Sequence, residues 1–379
     1  MARPSARREG ETVKILERPL PFSIYPVART TRRFGLHSRI FASSPWAVMT
    51  QVVENSLNGD SHDQARAFLS QAQNFYEIAQ SSHLSPTKPL LFYYSFLNLA
   101  KALSLVKGVE VGYEKAVHGL SEKTPQGSSE FLDSEIVVQW RQKNPSPRIY
   151  NDLKRALGGK IHQNGRKYLL KNVMAQLLPG HRVWCKATGK RERFIEIHNI
   201  EFRYDSQKKR IWLELSIFLD DLTRFGITRK ALLVESGLSQ AFREVVSDEC
   251  VGDRKLIKLE QISSLSYRDR HTDKIPELVN VLKPFLWASA LSAPPYRKNY
   301  LYLCPASEKQ DMLPQLASIY VAFFYLGSVT RYRPHKFESI LTGTHGSHLQ
   351  EVVLNLPQQF LYLMASEFLG REVAKAPLV

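Results

Sequence analysis

The chain has 379 residues, 43% of them hydrophobic and 23% charged, enough for two domains or one elaborated domain with a sizeable core. Its 52 Lys+Arg stand against 36 Asp+Glu, a formal net charge of +16. That balance attracts polyanions, nucleic acid or an anionic membrane surface, and says nothing of specificity. Cys185, Cys250 and Cys304 lie far apart with no CxxC, which excludes a disulfide framework or a zinc-ribbon site and suits a reducing cytosol.

Residues 1–12 are polar and basic and read as a disordered arm, without the apolar stretch of a signal peptide. Residues 13–46 carry four prolines and scattered aromatics, which predicts extended chain over a surface. Nine Lys/Arg face three Glu over residues 1–40, suited either to phosphate contact or to a solvated tail. "SHDQARAFLSQAQNFYEIAQ" opens with Ser61-x-x-Gln64, the pattern of a capping box. Its Phe68, Leu69, Ala72, Phe75, Tyr76 and Ala79 then recur at helical steps. After Pro86 and Pro89, "LLFYYSFLNLAKALSLVKG" is apolar nearly all round, a buried helix closed by Gly108. The two form a helical hairpin.

Loops are expected at 124–129 and 144–148, and helix over 149–180. The period then changes. "RFIEIHNIEFRY" and "RIWLELSIFL", rich in β-branched and aromatic residues and separated by "DSQKK", predict a β-hairpin. Residues 141–230 hold 21 Lys/Arg and 8 Asp/Glu, so the charge excess concentrates there. Helical spacing returns over 276–292 and 311–330, followed by a short helix from Pro334 to about Leu341 and another over 349–370. The greasy stretch 316–329 is too short to span a bilayer and reads as core. The fold class is α+β, predominantly α-helical: a helical bundle built from both chain ends with a basic α+β insert that contains a β-hairpin. The boundaries are an extended basic arm over 1–46, bundle over 47–124 and 276–379, and the insert over 125–275.

No GxxxxGK[ST], GxGxxG, HExxH, GxSxG or kinase set is present, which argues against phosphoryl transfer, zinc peptidase and α/β-hydrolase chemistry. No cofactor is expected. His335, His345 and His348 lack a carboxylate pattern, and no metal site is expected either. The candidate site is the helix end Arg331-Tyr332-Arg333-Pro334-His335. Pro334 is tolerated in the first turn of a helix, and a helix start beside two guanidiniums seats an anion. Arg331 and Arg333 would hold phosphate, Tyr332 would stack on a base, and His335 would move a proton. Arg331 and His335 are the catalytic candidates; carboxylate pairing of the arginines is the bland alternative. Lys208, Lys209 and Arg210, in the hairpin turn, are further anion-binding candidates. Ser95, Asn98 and Lys101 share one stripe of the buried helix and need partners or a cleft. Arg193 and His198 match a ribonuclease spacing, but a strand puts them on opposite faces. His118-Gly119 reads as a turn or as a site.

"ARAFLSQAQNFYEIAQSS", "KPLLFYYSFLNLAKALSL", "HGL" at 118–120, "FYLGSVTRYRPHKFESIL" and "FLYLMASEFLG" resemble the YaaC-like family of bacterial proteins. The resemblance covers both helical ends and is loose over about 125–290. That family brings no established activity with it. The paired helices are also similar to HEPN-type bundles, whose members include ribonucleases and toxins of antiviral defence; there an Arg and a His are separated by four to six residues, against three between Arg331 and His335. The cysteine usage, the basic charge and the helix-end cluster lead to the expectation of a cytoplasmic, RNA-binding protein, and the HEPN-like similarity implies, if it is an enzyme, a metal-independent ribonuclease in phage defence. RNA is favoured over DNA, no membrane is involved, and an oligomer is open. The competing expectation is a non-enzymatic regulatory protein docking an acidic protein partner.

Overall fold

Small and aromatic residues at helical spacing allow the long helices of this chain to approach closely, and the computed structural model shows where they do. It describes residues 4–15, 17–25, 39–81, 86–109, 112–125, 131–139, 146–159, 165–286, 288–291 and 297–375. The fold is α+β, with helix predominating over several small sheets. The chain divides into two units, one of residues 42–190 and 310–373 and the other of residues 1–41, 191–309 and 374–379.

In the first unit the predicted hairpin is formed by helices Gly59–Ser81 and Lys88–Val106. The first starts two residues ahead of Ser61, which places Ser61 inside the helix rather than at its N-cap; the Gln64 side chain donates to Asp60 at 2.6 Å. The second ends as expected. Gly108 adopts φ +63, its N–H reaches Leu105 O, and Val109 N–H reaches Ser104 O, the paired bonds of a Schellman cap. By length and composition Lys88–Val106 would pass for a membrane span, but 72% of it is buried within the protein. It packs against Gln315–Tyr332, where Gly327 lies against Leu90 and Tyr93; a Cβ there would stand 3.1 Å from Tyr93 Cβ. Helix Gly346–Leu369 closes the group, with Phe96 stacked on Phe360 at 3.8 Å and edge-on to Phe323 at 5.1 Å. Helices from before residue 190 and after residue 310 therefore share one core.

The stretch expected as helix over 149–180 is broken. It gives helix Ile149–Ala156, strand Lys167–Leu169 and helices Leu170–Ala175 and Leu178–Thr188. That strand completes a small antiparallel sheet with Leu120–Lys123 and Glu135–Val138.

The second unit is an antiparallel sheet with short helices on it. The predicted hairpin is strands Asn199–Asp205 and Arg210–Phe218, with Asp205 opposite Arg210. Asp205 Oδ1 accepts the Gln207 and Lys208 N–H groups, each at 2.9 Å, which shapes the turn. Phe194–Ile197, which looked continuous with the first strand, pairs instead with Arg297–Tyr302 in a separate sheet. Arg193 donates to Leu303 O at 2.5 Å and pairs with Glu235, a structural role. The helix expected over 276–292 stops at Leu282 and tightens into one 3₁₀ turn, Lys283–Phe285, where Pro284 has no N–H to give the α-helical ladder; a strand follows at Ala288–Leu291.

The described N-terminal residues 4–15 do not form a free arm. They are strapped onto this sheet. Ser5 bridges Val245, Glu11 and Thr12 pair with Tyr204 and Arg203, and Val13 is fully buried. Arg7 forks onto Glu214 with bonds of 2.7 and 2.6 Å and also reaches Glu249 at 2.6 Å. Arg8 donates its backbone N–H to Glu260 at 2.8 Å and lies 5.7 Å over the Trp212 ring. These cations sit on carboxylates: Glu214 is 2% exposed and Glu260 is fully buried.

Candidate functional site

The first unit holds a cleft of about 380 Å³, lined by helices Lys88–Val106 and Gln315–Tyr332 and by the segment around His118. Its formation follows from local sequence. Helix Gln315–Tyr332 ends at Arg333, whose φ of −143 takes it out of the helix, and Pro334 opens the next helix, Pro334–Thr342. The Arg333 carbonyl accepts from Lys336 and Phe337 N–H, and Phe337 is buried. This bend leaves Arg331 and Tyr332 at the cleft mouth.

The Arg331 guanidinium donates to the Tyr94 hydroxyl at 2.8 Å and lies 5.0 Å from the Tyr332 ring centre, while Tyr332 is 66% exposed. Arg331 makes no ion pair among the described residues. Arg333 points elsewhere, pairing with Glu122 and donating to Thr124 Oγ1 at 3.2 Å. His335 is exposed in the first turn of its helix and is not among the cleft's lining residues. The sequence cluster is thus split three ways: Arg331 and Tyr332 face the cleft, Arg333 ties the helix end to the small sheet, and His335 faces solvent.

The histidine in the cleft is His118. Its backbone is fixed on both sides, with its carbonyl accepting Tyr150 N–H at 3.2 Å and Gly119 O accepting Gln139 N–H at 2.9 Å. Gly119 takes φ +80, and a Cβ there would meet Arg148 Cβ at 3.3 Å, so only glycine turns the chain here without strain. The Tyr93 hydroxyl meets His118 Nδ1 at 2.5 Å, the two rings stacked with centres 5.6 Å apart. Burial lowers the His118 pKa, and the Lys101 and Arg331 cations lower it further. Burial raises the Glu122 pKa against the opposing pull of Arg333, Ser328 and Lys336. Both groups are pushed toward their neutral forms.

Of the Ser95, Asn98 and Lys101 stripe, Asn98 and Lys101 find partners on the neighbouring helix rather than at the Arg331 cluster. Asn98 donates to Gln71 at 2.8 Å; Lys101 lies 4.7 Å over the Phe68 ring and 3.4 Å from Asn98 Oδ1. Burial lowers the Lys101 pKa. Ser95 Oγ is fully buried without a hydrogen bond among the described residues.

Lys208, Lys209 and Arg210 belong to the other unit, in the hairpin turn. Lys208 stands 3.8 Å from Asp205, the Lys209 ammonium lies 5.7 Å over Tyr267, and Arg210 donates to Ser264 O at 3.3 Å. Of the basic central segment, Arg155, Lys167, Arg193, Arg203 and Arg229 each have a carboxylate partner. Among the described residues no group of three or more His, Cys, Asp or Glu side chains is placed to hold a metal ion, and Cys185, Cys250 and Cys304 form no disulfide there. Sequence reasoning left His118 open and missed Tyr93, Tyr94 and Glu122. The "HGL" turn, with its obligatory glycine, was the available signal.

The first unit is thus a helical assembly with a polar, aromatic-rimmed cleft at one helix end. The sequence matches the model of the YaaC-like Protein family over residues 29–368, and the chain belongs to that family. No curated protein and no solved structure matches it.

Proposed function

We propose that the chain binds RNA by its phosphates at the cleft of the helical unit, with Arg331 as the anchoring cation. One observation carries this reading: the Arg331 guanidinium is held by a phenol rather than a carboxylate, at the mouth of a cleft that also holds His118, Ser121 and Ser328. A cation positioned without an acid keeps its charge for a ligand and binds phosphate through charge-assisted hydrogen bonds. The exposed Tyr332 ring beside it offers a face on which an unpaired base can stack. The volume suits a group the size of one nucleotide, since small-ligand sites start at roughly 300 Å³. Single strands fit better than duplex because a splayed base can enter. Lys208, Lys209 and Arg210 would add salt-sensitive attraction of the backbone.

Metal-independent cleavage extends the same reading. Glu122 in its ionised form, made a stronger base by its raised pKa, would take the 2′-hydroxyl proton as the 2′-oxygen bonds to phosphorus and the P–O5′ bond breaks, the departing 5′-oxygen taking a proton from water, while Arg331 steadies the charge on the phosphoryl oxygens; Arg333 keeps that carboxylate oriented, and His335 stands in solvent. A HEPN-like arrangement of the paired helices and a role in antiviral defence rest on the HEPN-like similarity, a cytoplasmic location rests on the cysteine usage, and all belong to this proposal.

Fluorescence anisotropy with a labelled single-stranded oligoribonucleotide tests it. Arg331→Ala is expected to bind about ten-fold more weakly, the worth of one charged hydrogen-bonded contact, and affinity should fall as salt rises. Equal affinity of variant and wild type removes the reading. Binding of polyglutamate without binding of RNA moves the protein to the alternative, a non-enzymatic partner of acidic proteins.

A further inference from the structure

We propose that Tyr93 is a positioning residue that fixes His118 as a neutral imidazole carrying its proton on Nε2, so that the histidine serves the cleft as a hydrogen-bond donor. Tyr93 is 4% exposed, and a buried phenol must place its hydrogen on an acceptor. Two groups lie within reach of the Tyr93 hydroxyl: His118 Nδ1, at 2.5 Å, and the Tyr320 hydroxyl, whose bond lowers the Tyr93 pKa as a donor's does, so that Tyr320 gives its hydrogen to the Tyr93 oxygen and the Tyr93 hydrogen goes to His118. The ring geometry fits, since the phenol and imidazole stack at 22° and the phenol is locked on its other faces by Tyr320 at 5.8 Å and Phe324 at 5.5 Å. If Nδ1 accepts from Tyr93, the proton of the neutral imidazole resides on Nε2.

The groups facing His118 agree. Lys101 and Tyr93 come from one helix, Arg331 from another, and Glu122, engaged by Arg333, from the small sheet. Two cations and a donor phenol all disfavour a second ring proton; burial adds to this. Protonating His118 would also set two donors face to face at Nδ1. The role assigned is therefore electrophilic: His118 stands with Arg331 to receive an anion and does not act as a base. This deepens the phosphate-binding reading above by giving the cleft a second fixed donor.

The test separates the two. Nitrogen-15 NMR of histidine-labelled full-length protein, with the His118 signals assigned by His118→Gln, reads the tautomer without any ligand. The expected result is a pyridine-type Nδ1 and a pyrrole-type Nε2 at pH 7, and in Tyr93→Phe a drift toward a mixture of tautomers. A pyrrole-type Nδ1 in the wild type overturns the assignment, as does an unchanged spectrum in Tyr93→Phe. The wild-type spectrum decides the matter even if that variant folds poorly. Titration with inorganic phosphate should then move the Nε2 signal, and Tyr93→Phe should bind the oligoribonucleotide about three- to ten-fold more weakly, the worth of one oriented hydrogen bond. A correct tautomer with no response to phosphate or RNA would leave Tyr93's role standing and remove the phosphate reading alone.

Discussion

Replacing Arg7 by Ala should destabilise the sheet unit selectively. The guanidinium forks onto Glu214 with two bonds, and Glu214 is only 2% exposed. Removing one partner of a buried ion pair costs about 3–5 kcal/mol, because the other charge is left in a poor solvent. Two features reduce that figure here: Lys258 remains 3.1 Å from Glu214, and the Arg7 side chain is itself 26% exposed. A loss of about 2–3 kcal/mol is expected. The Arg7→Ala, Glu214→Gln double variant should recover part of it, since the stranded charge disappears with its partner. Hydrogen exchange in a urea series reads each unit separately, with amides of Asn199–Asp205, Arg210–Phe218 and Arg254–Gln261 reporting the sheet. Protection should fall there and hold in helix Lys88–Val106. A loss below about 0.5 kcal/mol, the scale of an exposed pair, would refute the buried-carboxylate reasoning, and equal losses in both units would refute its location.

Gly327→Val should open the contact between the two central helices of the other unit, because a Cβ there stands 3.1 Å from Tyr93 Cβ and 3.4 Å from Leu90 Cα; overpacking of this kind costs about 1–3 kcal/mol, measurable as a lower urea midpoint for helical signal. Phe96→Ala removes a ring stacked on Phe360 and edge-on to Phe323 and should cost about 3–5 kcal/mol by the same measurement. His118 titrates below its ordinary value of roughly 6.5 in the folded chain. The unfolded chain therefore takes up the proton first. Its contribution to stability is complete above about pH 6.5 and is lost as the pH falls toward the depressed folded value; His118→Gln should flatten that part of the stability profile. Gly119→Ala forces a side chain into φ +80 and should cost about 1–2 kcal/mol in thermal unfolding.

The helical ends were legible because their apolar residues keep one period over long stretches, and because Gly108 and Pro334 carry unambiguous stop and start chemistry. The hairpin was legible through its turn, where Asp205 supplies the hydrogen bonds. Short elements were not. Strand Lys167–Leu169 has three residues and owes its state to pairing with Glu135–Val138, 30 to 34 residues away in sequence, a tertiary term that local pattern does not contain. The N-terminal strap failed for the same reason. "SARRE" is solvated-looking by composition, yet Arg7 and Arg8 find carboxylates on strands more than 200 residues downstream. The site was half visible: proximity in sequence joined Arg331 to His335, while the bend at Pro334 separates them and tertiary packing brings His118 and Tyr93 to the cleft instead.

That contrast bears on how a net charge of +16 should be used. Charge was the strongest compositional signal, but total charge does not say which cations are available. Arg7, Arg193, Arg229 and Arg254 are spent on carboxylates, and Arg333 is tied to Glu122. An ion-paired guanidinium must lose its partner before it takes a phosphate, which cancels much of the gain. Arg331 needs no such exchange: it gives up at most a hydrogen bond to a neutral phenol, and the developing contact with phosphate is charge-assisted. By this argument one cation at the helix end outweighs many elsewhere in the chain, and removing it should weaken polyanion binding more than removing the Lys208, Lys209 and Arg210 turn. If the turn variant proved the weaker binder in the anisotropy assay, diffuse charge rather than the cleft would govern the interaction.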